Sequence, residues 1–262
     1  MYKKKSKEER TEQKKQMQEK IEAEQDSIWF EKESLHQFLK FAATFYKYSY
    51  NNQLLIHAKN PNATMVDTYK KWSERKRQVR AGEKGIEIFA PTPKTAIVEE
   101  EVKDGDGKPA LNKDNTVKTE KREVSYIDYR VVYVYDVSQT DGENLPELEA
   151  LSEDPLYETK EDLFYALQNI SNDVSIFLSA SDMLDCISRE YLAKKFKYAE
   201  DHEVEACSYI LASFLQLENE DSHVSQLFRW ANGQDKKVIA SCMGRVQKAA
   251  SEIIKNMEAE NV

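Results

Sequence analysis

The chain has 262 residues, is 40% hydrophobic and 32% charged, and carries a net charge of −9. That length allows two modest domains or one large one, and a mean hydropathy of −0.74 indicates a heavily solvated surface. No apolar run nears the roughly 20 residues of a bilayer span, and "MYKKKSKEERTEQKKQMQEK" lacks the apolar stretch of a secretion signal, so a cytoplasmic protein with no membrane partner is expected.

Residues 1–26 are rich in Lys, Glu and Gln, with Met17 and Ile21 nearly alone as apolar residues. They read as a charged arm, either a solvated helix or disordered. Residues 28–47 predict an amphipathic helix, because Leu35, Phe38, Leu39, Ala42, Phe45 and Tyr46 recur at spacings of three and four. A second, short helix carries Leu54 and Leu55 and ends at Asn60-Pro61, since a residue before proline avoids the helical region. A third spans about Thr68–Glu74. The glycines of "AGEKG" suggest a hairpin. "IEIFAP" alternates as a half-buried strand does, residues 94–102 give another, and "DGDGKPALNKDNT" is loop. In "EVSYIDYRVVYVYDV" the odd positions from Ile127 to Tyr135 put Ile, Tyr, Val, Tyr and Tyr on one face of a strong strand.

Residues 147–158 are acidic and read as a linker. Beyond them the pattern is mostly helical, with one short strand candidate at "VSIFL". Val238, Ile239, Cys242, Val246, Ala249, Ala250, Ile253 and Met257 keep one face of the last helix apolar. The expected fold class is therefore α+β. N-terminal helices and a small, mainly antiparallel sheet occupy 27–146, and a mostly helical domain occupies 159–262. Cys186, Cys207 and Cys242 are isolated, without C-x-x-C spacing, and read as small packing residues.

Charge is unevenly spread. Residues 1–140 sum to +4 and 141–262 to −13, and seven cations fall within 70–84. Cations there (Lys71, Arg75, Arg77, Arg80, Lys84) can offset phosphate charge. Nearby rings (Tyr48, Tyr50, Trp72) can stack on unpaired bases, which a duplex hides. A solvated charged face and a core tryptophan are the plainer alternatives.

The order of motifs adds to this. Tyr48-Ser49, Asn52, Leu55-Ile56, Pro61, Ala63-Thr64, Val66, Trp72, Arg77, Val79, Gly82 to Ile86 and Asp136 to Thr140 occur in sequence. This pattern resembles the N-terminal single-stranded-DNA-binding domain of ArdC-type antirestriction proteins, with Tyr135 where that family usually has Phe. The resemblance covers about residues 28–146. It implies an α/β domain that binds single-stranded DNA, carried by a plasmid, conjugative element or phage, and protecting incoming DNA from restriction. Residues 1–146 are expected to bind single strands alone. Arg77, Arg80 and Lys84 are the foremost phosphate contacts. Asn51, Asn52, Gln139 and Thr140 are candidates for hydrogen bonds to bases or backbone, with helix capping (the Asn pair) and a structural turn (Gln139-Thr140) as alternatives.

The resemblance also implies a metallopeptidase-like rear domain, whose zinc helix reads H-E-x-x-H. Here that pattern is absent. "REYLA", Arg189 to Ala193, stands nearest its place, keeping only Glu190. Glu203-Val204-Glu205-Ala206 resembles the helix that supplies a third ligand. Helix geometry aims Glu203 at the packed face, as a vestigial ligand, a buried ion pair or an acid at a helix start. A pseudo-metallopeptidase without metal or other cofactor is expected, Glu190 and Glu203 being vestigial positions. The rival readings are a protein inhibitor that docks its acidic half on a host defence enzyme as a DNA mimic, and a zinc metallohydrolase with an atypical site.

Overall fold

A computed structural model describes residues 5–114, 116–145, 157, 159–171, 173–217 and 221–260. Nearly all of the acidic segment 147–158 lies outside them. Two compact units divide the chain: Met1–Ile88 together with Tyr133–Val262, and Phe89–Val132. One boundary thus falls inside the region expected to be one domain, and among the described residues those of 27–88 and 133–145 belong to the same unit as those of 159–260. Among the described residues, no helix is long and apolar enough to cross a membrane.

The N-terminal arm is a helix, α1, Lys7–Phe30. Ser6 and Glu9 form a reciprocal capping box at its start, satisfying donors that a helix N-terminus leaves open. Gln13, Met17, Ile21, Gln25 and Ile28 are buried along one stripe. This spacing of four then three is what helical periodicity requires of a packed face. The expected helix over 28–47 divides at Glu31, so residues 28–30 close α1 and α2 spans Lys32–Thr44. Next come α3, Tyr50–Lys59, and α4, Tyr69–Glu74, capped by the Thr68 hydroxyl, which accepts from the Lys71 amide. Leu54, Leu55 and Ile56 of α3 are buried, and the buried Gln53 amide donates to the carbonyls of Ala42 and Phe45.

The strands are β1 (Val66–Asp67), β2 (Arg77–Val79), β3 (Ile86–Glu101), β4 (Thr119–Asp136) and β5 (Thr140–Gly142). One sheet has the order β1-β4-β3, with Val66 opposite Asp136; the other pairs β2 with β5, with Val79 opposite Thr140. The two strands expected at "IEIFAP" and 94–102 are one continuous β3. The expected "AGEKG" hairpin is instead a turn between strands of different sheets.

The rear helices are α5 (Lys160–Gln168), α6 (Ala180–Phe196), α7 (Asp201–Phe214), α8 (Asp221–Ala231) and α9 (Lys236–Glu260). "VSIFL" forms turns rather than a strand and leaves Phe177 94% exposed. Helix α7 lies at the centre, packed against α6, α8, α9 and also α2. Its inward residues Val204, Cys207, Ile210 and Leu211 are buried. On α9 the expected apolar face is buried from Ile239 to Met257, except that Val238, at the helix start, is exposed. Front and rear helices therefore share one core.

Candidate functional site

The expected trough of cations and rings is taken apart by the fold. Trp72 is fully buried and its indole nitrogen donates to the Tyr135 carbonyl at 2.8 Å. Tyr50 is 4% exposed, lies edge-on to Phe38 and accepts from the Trp29 indole. Neither ring offers a face to a base. Tyr48 is half-buried, donates to the Val66 carbonyl at 2.9 Å, and burial, then Asp67, push its phenol up to about 12. Asn52 and Thr140 are buried, while Asn51 is exposed; Ser49 rather than either asparagine takes the N-cap position of α3.

The cations mostly brace the scaffold. Lys71 and Arg75 both pair with the buried Asp67 carboxylate. Arg77 donates to the Thr140 hydroxyl and carbonyl at 2.8 and 3.0 Å, and to the Glu143 carbonyl. Arg80 holds Asp141, Glu83 and the Ser138 carbonyl. These two guanidiniums clamp β2 to β5 and to the turn before it. The Gln139 amide closes that turn, accepting from the Asp136 amide and donating to Glu83 and the Lys84 carbonyl. Arg77, Arg80, Gln139 and Thr140 are thus all engaged with the scaffold.

An open region lies beside this scaffold. A cavity of about 770 Å³ is lined by α1 through Lys20, α3 through Lys59, the turn at Glu83–Gly85, and the end of β4 through Tyr133 and Tyr135. Glu87 at its wall accepts from Lys20, Gln13 and Tyr133. Burial pushes the Glu87 carboxyl up, but these hydrogen bonds outweigh it and hold the group below its ordinary value. Glu83 is likewise engaged by Gln139 and Arg80. Among the described residues, the Lys59 and Lys84 ammonium groups have no carboxylate partner. Tyr133 is 43% exposed. Gly85 permits the close wall, since a Cβ there would stand 3.0 Å from Tyr133 Cβ and from the Tyr135 ring. Of the residues expected at the interface, Lys84 alone lines this cavity. Lys20 and Lys59 were outside the dense basic run, and Tyr133 was visible only as part of the β4 alternation.

In the rear helices the H-E-x-x-H positions do not fit a zinc ion. Arg189 pairs with Asp201 at 2.9 Å, Glu190 accepts from the Ser171 hydroxyl, and Ala193 has no donor atom. Glu203 is fully buried, as helix geometry indicated, and forms an ion pair: Arg245 Nε approaches its Oε1 at 2.6 Å. Cys242 is also fully buried, and burial pushes its thiol up to about 12. The His202 ring stacks on Trp230 with centroids 3.9 Å apart. One donor atom each of His202, Glu203 and Cys242 lie within 4.8 Å of one another. Sequence spacing gave no sign of this group, because Cys242 sits on a different helix.

An α+β scaffold with this motif order defines the front domain of an anti-restriction factor. Residues 3–135 match the family described as the N-terminal domain of anti-restriction factor ArdC, and the chain belongs to that family. It is similar to the crystal structure of the antirestriction ArdC protein from the R388 plasmid in its metal-free form, with 19% identity over 81% of this chain and 86% of that one and a TM-score of 0.38. The Mn(II)-bound structure of the R388 protein gives 18% identity, 85% and 98% coverage, and a TM-score of 0.35. No curated protein matches the chain.

Proposed function

We propose that this chain acts in antirestriction by binding single-stranded DNA in the cavity between α1, α3 and the base of the β1-β4-β3 sheet. Membership of the ArdC family supports the antirestriction role. The observation that carries the binding reading is that two ammonium groups without a carboxylate partner, Lys59 and Lys84, and the partly exposed Tyr133 line one cavity. Ammonium groups offset phosphate charge and release counterions, and an open ring stacks on a base of any identity. A duplex keeps its base faces covered, so the arrangement favours unpaired strands. The protein then acts in the cytoplasm on DNA of a mobile element, coating strands before a restriction enzyme meets them. The rear helices serve without peptidase chemistry of the H-E-x-x-H kind, a reading supported by the guanidinium and methyl at Arg189 and Ala193. Fluorescence polarisation with single-stranded and duplex oligonucleotides at two salt concentrations tests the proposal. Tighter binding to single strands, weakening as salt rises, is expected; equal affinity for duplex, or no salt dependence, would overturn it.

A further inference from the structure

We infer that His202, Glu203 and Cys242 form a binding site for one borderline divalent cation, of which Zn(II) is the best match. Imidazole, carboxylate and thiolate are the three donor types that zinc takes together. They arise from two elements. His202 and Glu203 occupy the first turn of α7, and Cys242 lies on the neighbouring α9. Their donor atoms already stand within 4.8 Å of one another, and two of the three residues are completely buried. The stack on Trp230, with the two planes 14° apart, limits the orientations of the His202 ring.

Arg245 does not close the site. Both of its contacting nitrogens, Nε and Nη2, address Glu203 Oε1. Oε2 has only a 3.4 Å contact with the Glu200 amide, so the second oxygen can serve the ion while the first keeps the guanidinium. Arg245 is also held from elsewhere: its Nη1 donates to the Ser241 hydroxyl at 3.1 Å, and the group lies over the Tyr198 ring. The ion replaces the thiol proton, which leaves to solvent, so that Glu203, Cys242 thiolate, Arg245 and the ion sum to one positive charge. The side chain of Arg245 is 24% exposed, which lets water screen that charge. Apart from Glu203, no donor belongs to the zinc pattern expected from sequence. The ion would tie the start of α7 to α9.

Cobalt(II) titration of the full chain, freed of metal and kept reduced, tests the site, because thiolate bound to cobalt gives a charge-transfer absorption. The band is expected to saturate at one cobalt per chain and to disappear when Zn(II) is added. Cys242→Ser should abolish it, His202→Asn should weaken binding by at least about tenfold, and Cys186→Ser should leave it unchanged. Should Cys242→Ser fail to fold, X-ray absorption of the zinc-loaded wild type gives the answer, with one sulfur expected at about 2.3 Å. Absence of the band in the wild type, its survival in Cys242→Ser, or a zinc shell without sulfur would overturn the inference.

Discussion

The indole nitrogen of Trp72 is 2.8 Å from the carbonyl oxygen of Tyr135, and the ring around it is completely buried. This bond joins α4 to the last residues of β4. Trp72→Phe removes the donor and strands a buried carbonyl, which costs about 1–3 kcal/mol. Urea denaturation should show that loss. Single-strand affinity measured well below the transition should change less than about twofold. A large loss of affinity in a variant of unchanged stability would return Trp72 to the binding surface.

Lys59 and Lys84 define the opposite case, cations with no scaffold to brace. Lys59→Ala with Lys84→Ala should leave the melting temperature nearly unchanged. The variant should bind single strands more weakly, with the slope of log affinity against log salt reduced by about 1.4, or about 0.7 for each lost phosphate contact. Tyr133→Ala should cost a further ~1–3 kcal/mol of binding. Arg77→Glu with Arg80→Glu, by contrast, should lower stability first, because both guanidiniums close the β2–β5 ribbon.

Gly142 holds β5 against β2 at a φ of +151°, and a Cβ there would run into the Lys76 carbonyl oxygen. Non-glycine residues rarely adopt that backbone conformation. Gly142→Ala should lower stability by roughly 1–3 kcal/mol, read by thermal denaturation. Gly105→Ala, at a position with nothing within 4 Å of an added Cβ, should stay within about 0.5 kcal/mol of wild type.

Glu87 gives the cavity wall a pH dependence. Its carboxyl lies below the ordinary value of 4.5 in the folded protein. The folded state therefore favours the carboxylate, and this contribution is complete above about 4.5 and fades as pH falls through the lower, folded value. Wild type should melt above Glu87→Gln at about pH 6.5, and the gap should narrow as the pH is taken below about 4.5. An equal gap at both pH values would show that Glu87 acts through packing rather than charge.

Local chemistry was readable in the residues. The short helix near Thr68–Glu74, the existence of β4 and the inward aim of Glu203 follow from propensity and periodicity, and each stands in the structure, but the alternating face read on β4 is turned outward, with Ile127, Tyr129 and Tyr133 exposed and Val134 buried. What escaped was decided by long-range partners. Nothing within residues 70–84 tells that Arg77 meets Thr140 or that Arg80 meets Asp141, some sixty residues on. A cation engaged by a distant strand looks the same in sequence as one facing solvent. For the same reason Lys59, alone in its stretch, gave no signal. The indole of Trp72 was ambiguous because a ring that stacks on bases and one that fills a core are chemically alike.

Packing of α2 on α7 has a consequence for how this protein can be divided. A fragment ending at residue 146 strips α2 of the helix that covers it, so it should be recovered as aggregate rather than as a working DNA-binding piece. A nonsense mutation behind the sheet should then behave as a null allele. The Phe89–Val132 unit is a separate compact unit, and exchange of that stretch alone should be tolerated better than a break between α2 and α7.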